Sequence, residues 1–397
     1  MGEKGAMAGL PVEFILFAAV LVGVAVLHKR PLLVTLSGLA AIVAWKVATV
    51  GFPALGAHFA HEWVVLANLM LLLVGFALLS SHFEESNIPE AMPAVLPDNW
   101  TGGLALLAIV FCLSALLDNI AAAVIGGVMA RHLYRGSVGV GFLAAIVAAA
   151  NAGGAGSVVG DTTTTMMWLK GVSPMVLLDA FVGSVVAFAI FAPLAAWRQE
   201  KLAPVARRAN PDLKIDWVRA LIVLFILACI VAANVLANSR FPQVEEHAPV
   251  LGLALWAAIL VSALIRRPGW GEIPEAFKGA VFLVALVACA SLMPVAELPS
   301  PTWGTTLGLG FLSSVFDNIP LTALALKQGG YDWPLLAYAM GVGGSMIWFG
   351  SSAGVALTSE FPEGRSVIAW LKEGWAIVVA FAVGFFVMLA LFGWQTG

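Results

Sequence analysis

Segments of about 20 apolar residues, long enough to span a bilayer core of about 30 Å, recur from Leu10 to Gly393 with one long polar interruption. Hydrophobic residues make up 61% of the 397 and charged residues only 11%, where an ordinary soluble domain carries about 25% charged. This excludes a water-soluble globule and predicts an all-α polytopic membrane protein. The net charge of -3 does not point to nucleic acid, and the basic residues sit in short loops rather than in a stripe. Cys112, Cys229 and Cys289 stand alone inside apolar segments, without the spacing of a zinc site or a disulfide framework, and read as small core residues. The first apolar segment, from Leu10 to Leu27, has no A-x-A-like cleavage site and reads as a retained span rather than a signal peptide.

Candidate spans fall at 10–28, 32–50, 63–81, 141–169 and 172–196, and a second set at 217–237, 249–265, 277–293, 334–358 and 373–393. Between the third and fourth member of each set lies an apolar stretch, 103–133 or 303–327, split by an Asp-Asn pair. As helices, the arms before these pairs would reach only about 21 to 23 Å at about 1.5 Å per residue, short of crossing the core. They read as re-entrant helical hairpins, which are tolerated when buried in protein or lining a cavity. Five full spans plus a hairpin returning to its own side make an odd count, so the second half enters the membrane upside down. The expected organisation is a first inverted repeat at 1–197, a cytoplasmic linker at 198–216 and a second inverted repeat at 217–397.

The positive-inside rule sets the orientation. With both termini outside, the inner loops collect fifteen cations: Lys29, Arg30, Arg131, Arg135, Arg198, Lys201, Arg207, Arg208, Lys214, Arg219, Arg266, Arg267, Lys278, Arg365 and Lys372. Five, Lys4, Lys46, Lys170, Arg240 and Lys327, fall at the outer side. Trp45, Trp63, Trp100, Trp197, Trp217 and Trp303 recur at span boundaries and read as interface anchors. The six histidines, His28, His58, His61, His82, His132 and His247, lie near span ends and read as interfacial or loop residues. The acidic residues between His82 and Asp98, including Glu84, Glu85 and Glu90, read as a solvated loop in preference to an inner cation funnel.

The halves align on their chemistry. LLDNIAAAVIGG, around Asp118 and Asn119, corresponds to VFDNIPLTALAL, around Asp317 and Asn318. Downstream, Gly153, Gly154 and Gly160 match Gly343, Gly344 and Gly350 at the same spacing. Glycine permits the backbone conformations that break a helix, and broken helices in repeat-built transporters offer half-helix ends and freed carbonyls to ions or substrates. Asp and Asn also start ordinary turns, but a carboxylate flanked by apolar runs deep in a membrane costs about 2.5 to 3.5 kcal/mol even on the lenient insertion scale, which favours function. Asp161, ahead of Thr162, has a competing role as a helix N-cap, and Ser351 with Ser352 would cap the matching helix. The repeat is thus symmetric in backbone design and not in charge, with Asp161 matched by Ser351.

The assembled candidates, Asp118, Asn119, Asn151, Asp161, Thr162, Asp317, Asn318, Ser345, Ser351 and Ser352, are oxygen donors, which suit a hard cation. A carboxylate that coordinates a cation can also hold a proton, the minimum chemistry of exchange. No Arg or Lys falls in the hairpin tips or broken segments to pair with an anionic substrate.

NAGGAGSVVGDTTTTMMW at 151–168, LLDNI at 116–120, VFDNIPL at 315–321 and AYAMGVGGSMIWFGSSAGVA at 337–356 resemble the NhaD-type sodium/proton antiporters of the ion transporter superfamily. The resemblance covers both repeats in order. It implies a secondary active transporter in the cytoplasmic (inner) membrane, a homodimer moving like an elevator, with Na+ or Li+ exchanged for H+ and no cofactor. It also implies ion-binding roles for the ten oxygen donors, with Na+ at Asp118, Asn119, Asp161, Asp317 and Asn318. The family pattern differs in carrying Trp at the place of Gly156 and Pro at that of Val158. Arsenite, antimonite and citrate-like anion permeases share the superfamily and form the alternative. An enzyme reading, an intramembrane aspartyl protease using Val159-Gly160-Asp161 and Tyr331-Asp332, fails because the two elements occur in the wrong order and position 158 lacks glycine.

Overall fold

The computed structural model describes residues 11–27, 30–91, 96–205, 214–240 and 247–396. Lys4, His28, Lys29, Arg207, Arg208 and the middle of the polar connector, 206–213, lie outside the described residues, as do the side chains of Glu90 and Arg240. Every regular element among the described residues is helical. The first half contains α1 (Val12–Val26), α2 (Pro31–Val50), α3 (Phe52–Glu84), α4 (Trp100–Ser114), α5 (Asn119–Leu133), α6 (Val140–Gly154), α7 (Thr162–Leu169) and α8 (Ala180–Leu202). The second contains α9 (Trp217–Arg240), α10 (Val250–Ser262), α11 (Ile273–Ser291), α12 (Trp303–Ser313), α13 (Asn318–Gln328), α14 (Trp333–Gly343), α15 (Ser352–Glu360), α16 (Val367–Glu373) and α17 (Trp375–Phe392). Among the described residues, five helical stretches are long and apolar enough to cross a membrane: Pro31–Val50, Phe52–Glu84, Pro174–Leu202, Trp270–Ser291 and Trp375–Phe392. The chain is therefore a polytopic membrane protein.

Local chemistry sets where the inner helices start and stop. Asn99 caps α4 by accepting the Thr101 N–H. Thr302 and Thr305 close a reciprocal capping box on α12, which satisfies two otherwise orphaned donors. Asp118 and Asp317 occupy the turns of two helix–turn–helix units, α4–α5 and α12–α13, whose arms of 15 and 11 residues are too short at about 1.5 Å per residue to traverse a core of about 30 Å. The helices expected at 141–169 and 334–358 are each interrupted, between α6 and α7 and between α14 and α15.

Packing interleaves the two halves. The leading arm of each helix–turn–helix unit lies on the leading piece of its own broken helix, α4 on α6 and α12 on α14. The trailing arms cross over, α5 packing on α15 and α13 on α7. Around this centre α8 packs on α17, and α3 packs on α10 and α11. The centre is close-packed with small side chains: Ala144, Ala148, Ala150, Ala337 and Ala339 have no exposed surface, which lets backbones approach closely in a membrane.

Several elements differ from the expected boundaries. α3 is 33 residues long rather than 63–81, because Pro53 starts it at its first turn and nothing in FPALGAHFAHEW breaks it. α8 begins at Ala180 after a separate turn, Pro174–Leu177, and runs through Leu202, past the expected boundary at residue 197. α10 spans only Val250–Ser262. His82 is not interfacial: it is fully buried, and its Nδ1 lies 3.0 Å from an Arg219 guanidinium nitrogen. Of the three cysteines only Cys289 is buried, while Cys112 is exposed and Cys229 intermediate.

Candidate functional site

Close backbone approach builds the centre. A Cβ on Gly153 would sit 2.0 Å from the Phe111 carbonyl oxygen, and one on Gly343 would sit 2.2 Å from the matching Gly310 oxygen. The third glycines repeat the relation, Gly160 against the Ser114 oxygen at 2.0 Å and Gly350 against the Ser314 oxygen at 2.6 Å. No side chain larger than hydrogen fits at these distances, so the turn of each helix–turn–helix unit reaches the break of its own half. In the first half the Asn119 N–H donates to the Gly160 carbonyl at 2.9 Å, and the Ser157 hydroxyl donates to the Ala115 carbonyl at 2.7 Å. The space that a larger residue at Gly156 would need is taken by the Phe181 ring, 2.5 Å from its would-be Cβ.

Five candidates join in one hydrogen-bonded network. The Asn119 amide donates to Asn151 Oδ1 at 3.1 Å and to Asp161 Oδ2 at 3.3 Å. The Asn151 amide donates to Ser345 Oγ and Ser351 Oγ, each at 3.0 Å. All five are at least nine-tenths buried, and the network ties the two halves together at their helix breaks. Asp161 Oδ1 accepts from the Thr163 N–H at 2.8 Å and its hydroxyl at 2.9 Å, so Asp161 is both helix cap and network member. Ser351 likewise caps α15, accepting the Gly354 N–H.

Asp317 stands outside this network: one carboxylate oxygen accepts the Ile319 N–H at 3.0 Å, and the other accepts the Ser352 hydroxyl at 2.9 Å. Asp118 makes no capping bond on α5. Both aspartates are half-buried and line a cavity of about 640 Å³ that also touches Ser352 and Phe349. Its lining also takes in three exposed carboxylates, Glu84, the last residue of α3, with Glu272 and Glu275 at the start of α11. Thr162 is buried without a side-chain hydrogen bond among the described residues. Asn318 is 3% exposed, and its Nδ2 has no partner among the described residues.

The contrast with Asn119, whose amide makes two bonds, follows from aligning the two halves on their glycines. The acceptors of Asn119 are Asn151 and Asp161; the matching second-half positions are Gly341 and Ser351. Gly341 offers no side chain, and Ser351 Oγ is taken up by Asn151 and the α15 cap. A Cβ on Gly341 would sit 3.0 Å from Ala155 Cβ and 3.3 Å from the Asn151 carbonyl oxygen, so the glycine lets α14 lie close against the break of the first half.

Residues outside the expected set also shape the site. The Trp370 indole N–H donates to the Ser345 carbonyl at 3.1 Å. Lys170, just past α7, bonds Glu62 of α3 at 2.8 and 3.1 Å. Glu62, three turns into α3, and Glu84, its last residue, sit on one helix, roughly 33 Å apart at about 1.5 Å per residue, so the ion pair and the acidic part of the cavity are well separated along α3. Tyr331-Asp332 forms no catalytic pair with Asp161: Asp332 caps α14 through the Leu335 N–H and holds the Gln395 N–H.

No protein-family model matches the chain. Among curated proteins, the Na(+)/H(+) antiporter NhaD of Alkalimonas amylolytica is 27% identical, the alignment covering 96% of this chain and 89% of the relative. NhaD of Vibrio cholerae is 26% identical over 83% of this chain and 80% of its own length. Sodium/proton antiporter 1 of Arabidopsis thaliana is 26% identical over 80% of this chain and 61% of its own length. Agreement among bacterial and plant relatives over most of the sequence makes this chain a relative of the NhaD-type sodium/proton antiporter family.

Proposed function

We propose that the chain is a secondary active transporter that exchanges Na+, and Li+ in its place, for H+ across the cytoplasmic membrane. The observation that carries this reading is the Asn119–Asn151–Asp161–Ser345–Ser351 network beside two cavity-lining aspartates, Asp118 and Asp317. Every group is an oxygen or amide donor set by a helix break, and three are carboxylates. Such a set satisfies a hard cation, and when the cation leaves, a buried carboxylate is least costly when it takes a proton. The relatives are named for sodium/proton antiport, the same exchange.

In this reading Asp118, Asn119, Asp161, Asp317 and Asn318 hold the ion. The acidic part of the cavity, at Glu84, Glu272 and Glu275, is the cytoplasmic approach, and the Lys170–Glu62 pair closes the far end. The two halves form inverted repeats with re-entrant hairpins, and the centre moves past α3 and α11 in elevator fashion within a homodimer. Asp161, the charge absent from the second half, makes the first half the tighter cation binder and leaves Asp317 and Ser352 to handle the proton.

Purified protein in liposomes enclosing a pH dye tests the exchange. External Na+ should enter against H+ and raise the internal pH, and Li+ should substitute. A flat dye signal at every pH from mildly acid to alkaline, or sodium-independent dissipation of an arsenite or citrate gradient, would remove the antiport reading.

A further inference from the structure

A second cavity, of about 660 Å³, lies among the start of α6, the end of α8, α16 and the start of α17. Its wall combines apolar side chains, Phe191, Leu194, Leu202 and Ile377, with two cations, Arg198 and Lys372, and two carboxylates, Glu363 and Glu373. These charges do not neutralise one another in pairs. Lys372 and Glu363 make no ion pair or hydrogen bond among the described residues. Arg198 gives a single N–H to the Glu373 carbonyl at 3.2 Å, leaving most of its five donors free. The Glu373 carboxylate accepts one bond, from the Gly141 N–H at 2.9 Å.

The surroundings have the side-chain character of a bilayer interface. Trp197 and Trp375 are exposed beside it, the Arg198 guanidinium lies over the Trp375 ring, and the Lys201 ammonium lies over Trp197. Tryptophan and cations at helix ends mark the interface of a bilayer, the level at which charged side chains between helices meet lipid headgroups. Outward along the same helices, Val185 of α8 and Val379 of α17 are exposed apolar residues that acyl chains would cover.

We propose that this cavity binds one phospholipid whose headgroup carries both a phosphodiester and a primary ammonium, the phosphatidylethanolamine type. Arg198 and Lys372 take the phosphate, Glu363 takes the ammonium, and the apolar wall takes the upper acyl chain. Two cations against two carboxylates match a zwitterion and disfavour a lipid with a net negative headgroup. The site is wired to the centre: Lys372 and Glu373 follow Trp370 on α16, and Trp370 holds the Ser345 carbonyl, so an occupant that steadies α16 steadies Ser345 and its bond to Asn151.

Native mass spectrometry of the detergent-purified full chain, given equal amounts of phosphatidylethanolamine, phosphatidylcholine and phosphatidylglycerol, tests this without reference to transport. The wild type should retain one ethanolamine lipid in preference to the other two. Arg198→Ala and Lys372→Ala should each lower that occupancy by about fivefold, the worth of one cation at a lipid surface, and Glu363→Gln should move the preference toward phosphatidylglycerol. Equal retention of the three lipids, a wild-type preference for phosphatidylglycerol, or variants that keep wild-type occupancy would overturn the proposal. So would a lipid-free dimer that these substitutions dissociate, which would make the cavity a protein interface. Should a variant fail to fold, as judged by gel filtration, the three-lipid competition on the wild type decides alone.

Discussion

The Asn151 side-chain amide reaches Ser351 Oγ at 3.0 Å, joining the break of one half to the break of the other. With its second bond to Ser345 at 3.0 Å and the bond it accepts from Asn119 at 3.1 Å, Asn151 links three other members of the network. Its replacement by Ala leaves the Asn119 amide short of an acceptor in a buried site, which costs about 1 to 3 kcal/mol. Asn151→Ala should lower the melting temperature of the purified protein and slow sodium-driven proton flux by at least about tenfold, equivalent to about 1.4 kcal/mol or more of lost transition-state stabilisation. Wild-type flux in Asn151→Ala liposomes would show that the bridge is not needed.

The two asparagines that follow the turn aspartates, Asn119 and Asn318, should behave differently. Asn119→Ala breaks two side-chain bonds and should destabilise the fold. Asn318→Ala removes a buried donor that has no partner among the described residues, so stability should hold or rise by about 1 kcal/mol while transport falls. Differential scanning fluorimetry beside the liposome assay separates the two, and equal melting losses in both variants would refute the asymmetry.

At the helix breaks, Gly153→Ala and Gly343→Ala drive a methyl group into backbone oxygens of Phe111 and Gly310, which a backbone cannot yield cheaply. Each should cost about 1 to 3 kcal/mol as overpacking, visible as loss of the monodisperse peak in gel filtration. Gly308→Ala, where nothing lies within 4 Å of the added methyl, is the control and should behave as wild type.

The Lys170–Glu62 pair is partly exposed, its side chains 35% and 16% accessible, so its energy is modest, about 1 kcal/mol or less. Its charge can be exchanged. Glu62→Lys and Lys170→Glu alone should slow transport and should largely restore each other in the double variant, read as a coupling energy in a double-mutant cycle. Additive losses would mean that the pair does not act as a closure.

Much of this architecture is legible in the sequence. The Asp-Asn pairs at 118–119 and 317–318 fall in the turns between α4 and α5 and between α12 and α13, and the matched glycines fall at the two helix breaks, because a carboxylate or a glycine inside an apolar run conflicts with simple spanning. All ten oxygen donors lie at these turns and breaks or one helical turn from them. Their partners are not legible: the bonds from Asn151 to Ser345 and Ser351 cross about 200 positions of sequence, and only interleaved packing brings them together. Nor does composition distinguish Asn119 from Asn318, since the difference lies in Gly341, a residue with no side chain to attract notice. His82 and Glu84 read as interfacial or loop residues in sequence, and the structure places them elsewhere for a related reason. A 33-residue helix carries them beyond the apolar window, one into a buried contact with Arg219 and the other to the cavity lining.

In the proposed exchange, Na+ and H+ compete for the same carboxylates. Isothermal titration of Na+ into purified protein, repeated at two pH values one unit apart and in buffers of different ionisation enthalpy, reads that competition directly. Protonation occupies the site, so acidification should weaken Na+ binding, by up to about tenfold per proton displaced, and each Na+ bound should release protons to the buffer. Asp161→Asn should bind Na+ weakly and lose much of that proton release. Sodium affinity unchanged between the two pH values, with no protons released on binding, would contradict the account.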